Sequence, residues 1–122
     1  MTNEPTPSLK AFVVEDQPMV ASALMDALPH FGIDVVGHVY DIPAALGWLE
    51  RGQIPDVALI DMMLPSGPAY PVIDRLSELP TTILLITGMD GDFIPAAYQH
   101  FPRLEKPFGI RDLVSAIEAL RK

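Results

Sequence analysis

The sequence predicts an α/β domain, a doubly wound, five-stranded parallel sheet with helices on both faces. Two observations carry that prediction. Short β-rich apolar runs alternate along the chain with segments whose apolar residues recur at helical spacing, which is the pattern of repeated strand–helix units. The run Val57 to Ile60 is continuously apolar rather than alternating, as in a strand covered by helices on both faces. With 122 residues, 49% of them hydrophobic, the chain holds one domain, placed at 9–122. Met1 to Ser8, polar and proline-bearing, reads as a disordered leader.

The first strand is Lys10 to Val14, ending in Glu15 and Asp16. Pro18 suits the first turn of the helix that follows, whose Val20, Leu24 and Ala27 share a face before Gly32 closes it. Asp34 to Val39 is the second strand, and Asp41 can cap a helix carrying Ile42, Ala45, Leu46 and Leu49, ended by Arg51 and Gly52. The third strand, Asp56 to Ile60, ends in Asp61. A proline- and glycine-bearing loop, Leu64 to Pro71, then leads to a helix with Val72, Ile73, Leu76 and Leu79, stopped by Pro80. Thr81 to Ile86 is the fourth strand, ending in Thr87 and Gly88. A fourth helix is expected over Asp90 to His100, weakened by Gly91 and Pro95. The short fifth strand, Arg103 to Glu105, precedes Lys106 and Pro107, and the last helix puts Ile110, Leu113, Val114, Ile117 and Leu120 on one stripe.

Composition removes whole classes of function. Eight basic against 16 acidic side chains give a formal net charge of −8, a sign that repels phosphate backbones, so no direct nucleic-acid partner is expected. The chain has no cysteine, which excludes a disulfide framework, a thiolate zinc site and a cysteine nucleophile, and fits a cytoplasmic location. The longest apolar runs are strand-sized, far short of the roughly 20 residues of a membrane span, so no membrane insertion is expected.

In doubly wound sheets, sites form beyond the carboxyl ends of the strands. Glu15, Asp16, Asp61, Thr87 and Lys106 all fall at that rim. If strands one and three are neighbours, three carboxylates converge, and their repulsion is relieved by a cation, a proton or the Lys106 ammonium. A hard divalent ion answers this best: Mg²⁺ takes oxygen ligands and keeps several waters, so one or two carboxylates, a carbonyl and a phosphate oxygen suffice.

The order Glu15-Asp16, Asp61 with Pro65 following, Thr87-Gly88 and Lys106-Pro107-Phe108 resembles the receiver domain of two-component response regulators, the chemotaxis-regulator-like family. The resemblance runs from Leu9 to Leu120, and five weak motifs in the right order are jointly specific. It implies the flavodoxin-like strand order 2-1-3-4-5. It implies that Asp61 is the phosphoacceptor, taking a phosphoryl group from a phosphohistidine of a sensor histidine kinase or a histidine phosphotransfer protein. It further implies Asp16 and Asp61 as direct Mg²⁺ ligands, Glu15 as an acidic residue acting through water, and the backbone carbonyl of Met63 as the remaining protein ligand. Lys106 would pair with Asp61 and then with the phosphoryl group, and Thr87 would report the phosphorylated state. Such a domain is a switch of protein contacts, not a metabolic enzyme, although it catalyses its own phosphorylation and dephosphorylation. Family kinases dock on helix one and the loop after strand five, which here offers Met19, Ser22, Met25 and Phe108. The residue types suit the chemistry in their own right, because phosphoryl transfer to an already ionised carboxylate needs charge stabilisers and no general base.

Taken singly, Asp16 or Asp61 is more often a cap or turn residue, and Thr87 a plain strand-end threonine; their joint placement reverses that. His30, His38 and His100 are not spaced as ligands, and Trp48 and the six methionines read as packing. Two departures from the family stand out. Arg103 occupies the place of the usual Tyr or Phe three residues before the lysine, and helix four is weak, so switching is expected to use order and disorder of Met89 to Phe101 or an Arg103 contact. Met62, Met63 and Met89 would crowd the phosphoryl group. The main rival is a pseudo-receiver, an interaction module of the same fold that is not phosphorylated; the complete set of Asp16, Asp61, Thr87 and Lys106 argues against it. A flavin-binding protein would need a neutral phosphate loop where Glu15-Asp16 stands, and an aspartyl-phosphate phosphatase would need an acid where Met63 stands.

Overall fold

Proline, aspartate and glycine set the element boundaries in the computed structural model, which describes residues 9–88 and 94–120. Strand β1 (Leu9–Val14) leads into helix α1 (Pro18–Ala27), opened by Pro18, whose fixed φ suits a first turn and whose missing N–H is not needed there. The helix tightens into a 3-10 turn, Leu28–Phe31, which Gly32 ends at φ 75, a left-handed conformation that favours glycine. Strand β2 (Ile33–Val39) is followed by helix α2 (Ile42–Glu50), capped as expected by Asp41, whose carboxylate accepts from the Ala44 N–H at 3.0 Å. Strand β3 (Val57–Asp61) leads to a small antiparallel ribbon, β4 (Met63–Leu64) with β5 (Gly67–Pro68), and then to helix α3 (Tyr70–Ser77). Strands β6 (Thr82–Thr87) and β7 (Arg103–Glu105) and helix α4 (Ile110–Leu120) complete the domain.

The sheet is parallel throughout, in the order β2-β1-β3-β6-β7, which is 2-1-3-4-5 once the two ribbon strands are left out. Strand alternation divides the core in two. Phe12, Val14, Ala58, Ile60, Ile83 and Leu85 face one way, against Trp48 and Leu49 of α2 and Ile73 and Leu76 of α3. Ala11, Val13, Val57, Leu59, Leu84 and Ile86 face the other, against Leu24 of α1 and Leu113 and Ile117 of α4. Helices on both faces are what allow the continuous apolar run of β3. Trp48 stacks on Phe12 with ring centroids 4.0 Å apart, and its indole lies so close over Gly37 that a Cβ there would stand 2.5 Å from Nε1.

The expected helix over Asp90 to His100 is corrected where it can be compared. Asp90 to Phe93 lie outside the described residues, and from Ile94 to His100 the chain makes only a 3-10 turn, Ala96–Tyr98. Pro95 is the reason: it stands extended, at ψ 151, has no N–H to give, and biases Ile94 away from helical backbone. The segment covers the core without a helix, with Ile94 buried and Tyr98 and Phe101 packed against the Phe12 face. Tyr98 stacks on Tyr70 at 4.8 Å and donates its hydroxyl to Asp74 Oδ1 at 2.8 Å. Asp61 and Thr87 are the last residues of their strands rather than the first beyond them, and the leader expected at Met1 to Ser8 lies outside the described residues.

Candidate functional site

Strand register brings the acidic residues together. Val14 pairs with Ile60, so Glu15 follows on β1 where Asp61 follows on β3; Asp61 in turn pairs with Ile86 of β6, and Thr87 with Glu105 of β7. Glu15, Asp61, Thr87 and Lys106 therefore emerge side by side at one rim. Lys106 is tied back to it by its own N–H, which donates to the Thr87 carbonyl at 2.7 Å, and its bond to Pro107 is cis.

Glu15, Asp61 and Thr87 are the buried polar side chains among the described residues, and Asp16 is half-buried beside them. The Lys106 ammonium donates to Glu15 Oε1 at 3.0 Å, to Asp61 Oδ2 at 3.0 Å and to Gln17 Oε1 at 2.8 Å. Asp61 Oδ1 accepts from the Met63 N–H at 3.0 Å, so both oxygens of this carboxylate are fixed. Burial pushes the Glu15 carboxyl above its ordinary 4.5, against the opposing pull of the Gln17 N–H and Lys106. Burial works against the Lys106 charge, but hydrogen bonds and charges from Asp61 and Glu15 outweigh it and hold the ammonium above its ordinary 10.5.

One lysine does not balance three carboxylates. Oxygens of Glu15, Asp16 and Asp61 lie within 4.8 Å of one another, and Glu15 Oε2 is buried with no hydrogen-bond partner among the described residues. A buried carboxylate oxygen left without a partner is costly, and a hard divalent cation beside an all-oxygen donor set would satisfy it. The residues present fit such an ion.

Not every sequence expectation gathers here. Met62 is packed in the core with Ala58 and Ile60 and does not crowd the pocket; Met63 turns outward, 63% exposed, and Met89 lies outside the described residues. Arg103 is exposed on β7. Met19, Phe108, Gln17 and Lys106 line an open groove of about 500 Å³ between α1 and the turn before α4; Ser22 is exposed and Met25 half-buried on the same helix. Two contacts escaped the sequence reading. His38 Nε2 lies 3.0 Å from the Glu15 carbonyl, and Gln17 holds Lys106. Only the place of Gln17, directly after the acidic pair, could have signalled its part.

Comparison with known proteins agrees with this geometry. A family model described as "Response regulator receiver domain" matches residues 11–118. The probable transcriptional regulatory protein NarL of Mycobacterium tuberculosis is 36% identical over 93 residues, covering 74% of this chain and 43% of that protein. The response regulator PleD of Caulobacter vibrioides is 37% identical over 60 residues, covering 46% of this chain and 13% of that protein. The chain thus spans less than half the length of these curated relatives. Among solved structures, SdrG from Sphingomonas melonis Fr1 superposes with a TM-score of 0.82 at 28% identity, covering 97% of this chain and all of that one. The receiver domain of M. tuberculosis NarL superposes at 0.73 with 27% identity, covering 95% and 98% of the two chains. A five-stranded parallel sheet with its acidic cluster at the strand ends, matched over nearly its whole length, places this chain in the receiver domain family of two-component response regulators.

Proposed function

We propose that the chain, from residue 9 to its end, is a phosphorylatable receiver whose acceptor is Asp61. The observation that carries this reading is the Asp61 carboxylate itself, buried at a strand end, braced by the Met63 N–H and the Lys106 ammonium, and facing Glu15 and Asp16. Asp16, Asp61, Glu15 and the backbone carbonyl of Met63 would hold Mg²⁺. When bound, the ion supplies positive charge against the phosphoryl oxygens.

This chain's own residues account for the rest of the chemistry. A carboxylate oxygen of Asp61 attacks the phosphorus of a phosphohistidine; the new O–P bond forms as the P–N bond breaks, and the bonding pair stays on the imidazole nitrogen. No general base takes part, because a carboxylate nucleophile is already ionised at neutral pH. Lys106 neutralises the acceptor before transfer and a phosphoryl oxygen after it. Thr87, buried at the end of the neighbouring strand, offers a hydroxyl to the same group. The phosphodonor is a sensor histidine kinase or a histidine phosphotransfer protein, seated on the groove formed by Met19, Val20 and Phe108, and the domain works in the cytoplasm as a switch of protein contacts. SdrG has also been solved in a BeF3-activated conformation, and that structure aligns with this chain at 30% identity.

The test is intact mass after incubation with acetyl phosphate and Mg²⁺. A gain of about 80 Da, one phosphoryl group, is expected. It should vanish in Asp61→Asn and without metal. No gain from acetyl phosphate or from a phosphorylated histidine phosphotransfer protein would leave the pseudo-receiver in its place.

A further inference from the structure

Lys106 is held by more than the two carboxylates, and the third partner is a neutral amide that belongs to no motif in the sequence. Gln17 makes two bonds. Its N–H donates to Glu15 Oε1 at 3.0 Å, and its side-chain Oε1 accepts from Lys106 Nζ at 2.8 Å, while Nζ itself reaches the same Glu15 Oε1 at 3.0 Å. The three residues close a ring of hydrogen bonds at the mouth of the acidic pocket. With Asp61 Oδ2 the ammonium has three acceptors, one for each of its protons.

We propose that Gln17 is a positioning residue for phosphoryl transfer: it fixes the Lys106 ammonium over Asp61 and yields its own bond when a phosphoryl oxygen arrives. This rests on the phosphoacceptor reading of Asp61. The chemistry of the three bonds sets the order of release. All three are donated by the same cation, but two end on buried carboxylates as ion pairs; the third ends on the neutral, exposed Gln17 amide, whose oxygen can turn to water at little cost. A long lysine side chain without the third acceptor would sample several orientations, and a transition state that needs a cation at one place gains from removing that freedom. A carboxylate at position 17 would hold Lys106 as firmly but would add a negative charge to a pocket already rich in them. The amide positions the cation without that repulsion.

The experiment has two readouts. In ¹⁵N-edited NMR of lysine ammonium groups, Lys106 is expected to give a signal protected from exchange with water, assigned by its loss in Lys106→Arg. Gln17→Leu should lose that protection while its amide spectrum stays that of a folded domain, and Gln17→Glu, which keeps an acceptor at the same reach, should restore it. With acetyl phosphate at saturating Mg²⁺, Gln17→Leu should be phosphorylated about tenfold more slowly than the wild type, with its Mg²⁺ affinity unchanged. An unchanged ammonium signal in Gln17→Leu, or an unchanged rate once that signal is lost, overturns the proposal. A wild type that accepts no phosphoryl group overturns the reading of Asp61 instead, and the ammonium signal then still decides whether Gln17 holds Lys106.

Discussion

Glu15 is the least comfortable residue in the molecule. It is fully buried, one oxygen satisfied by Lys106 and the Gln17 N–H, the other by nothing among the described residues. Lys106 is what makes the metal-free pocket tolerable, and removing it leaves Glu15 and Asp61 without their cation. Lys106→Met should therefore destabilise the metal-free domain by about 2 kcal/mol in urea unfolding, less than a fully buried pair because the ammonium is partly exposed, and much of that loss should return with Mg²⁺. The pH dependence has a definite sign. A lysine held above its ordinary 10.5 contributes stability that is complete below that value and is lost as pH rises through the higher folded value. Above about pH 10.5 the wild type should lose stability faster than Lys106→Met, and parallel curves would contradict the pairing. The site residues were legible because Glu15, Asp61, Thr87 and Lys106 each stand where a strand ends. Gln17 and His38 were not, since an amide and an imidazole acting on neighbouring backbone and side chains leave no spacing to read.

At the scale of elements, the strands and four helices follow the apolar pattern closely, and the departures are local. Pro95 is visible in the sequence as a helix breaker, yet what replaces the helix depends on Tyr98 meeting Tyr70 and Asp74 of α3, partners more than twenty residues away in the chain. Long-range stacking of that kind has no sequence period. Tyr98→Phe should keep the stack and lose the bond to Asp74, costing about 0.5–1 kcal/mol locally. Faster amide exchange confined to residues 94–101 is the expected result, and unchanged exchange there would mean the hydroxyl does not hold the segment. Gly37 makes the opposite case, a strand glycine with a packing cause. Gly37→Ala places a methyl where Trp48 stands and should cost about 1–3 kcal/mol, read from urea unfolding, with the Trp48 near-UV signal altered. A neutral substitution would show that the indole can move off β2.

The whole molecule is a rigid sheet that delivers side chains from four strand ends to one rim, backed by apolar layers on both faces. Its fold class was legible because binary pattern, proline placement and turn glycines agree across the chain, whereas its strand order came from the family resemblance. The net charge of −8 disfavours direct contact with a nucleic-acid phosphate backbone. The two layers back the rim, and residues 94–101 are clasped to α3 through Tyr98 rather than wound as a helix.

The central claim is that Asp61 is the acceptor, and the most direct test is chemical mapping of the phosphorylated protein. Borohydride reduces an aspartyl phosphate to homoserine, so the peptide carrying positions 57–64 should show homoserine at 61 and nowhere else. Asp16 and Glu15 should be unchanged, and no phosphate should be found on His30, His38 or His100. An unreduced Asp61 in protein shown by mass to carry a phosphoryl group, or homoserine at position 16, would contradict the account.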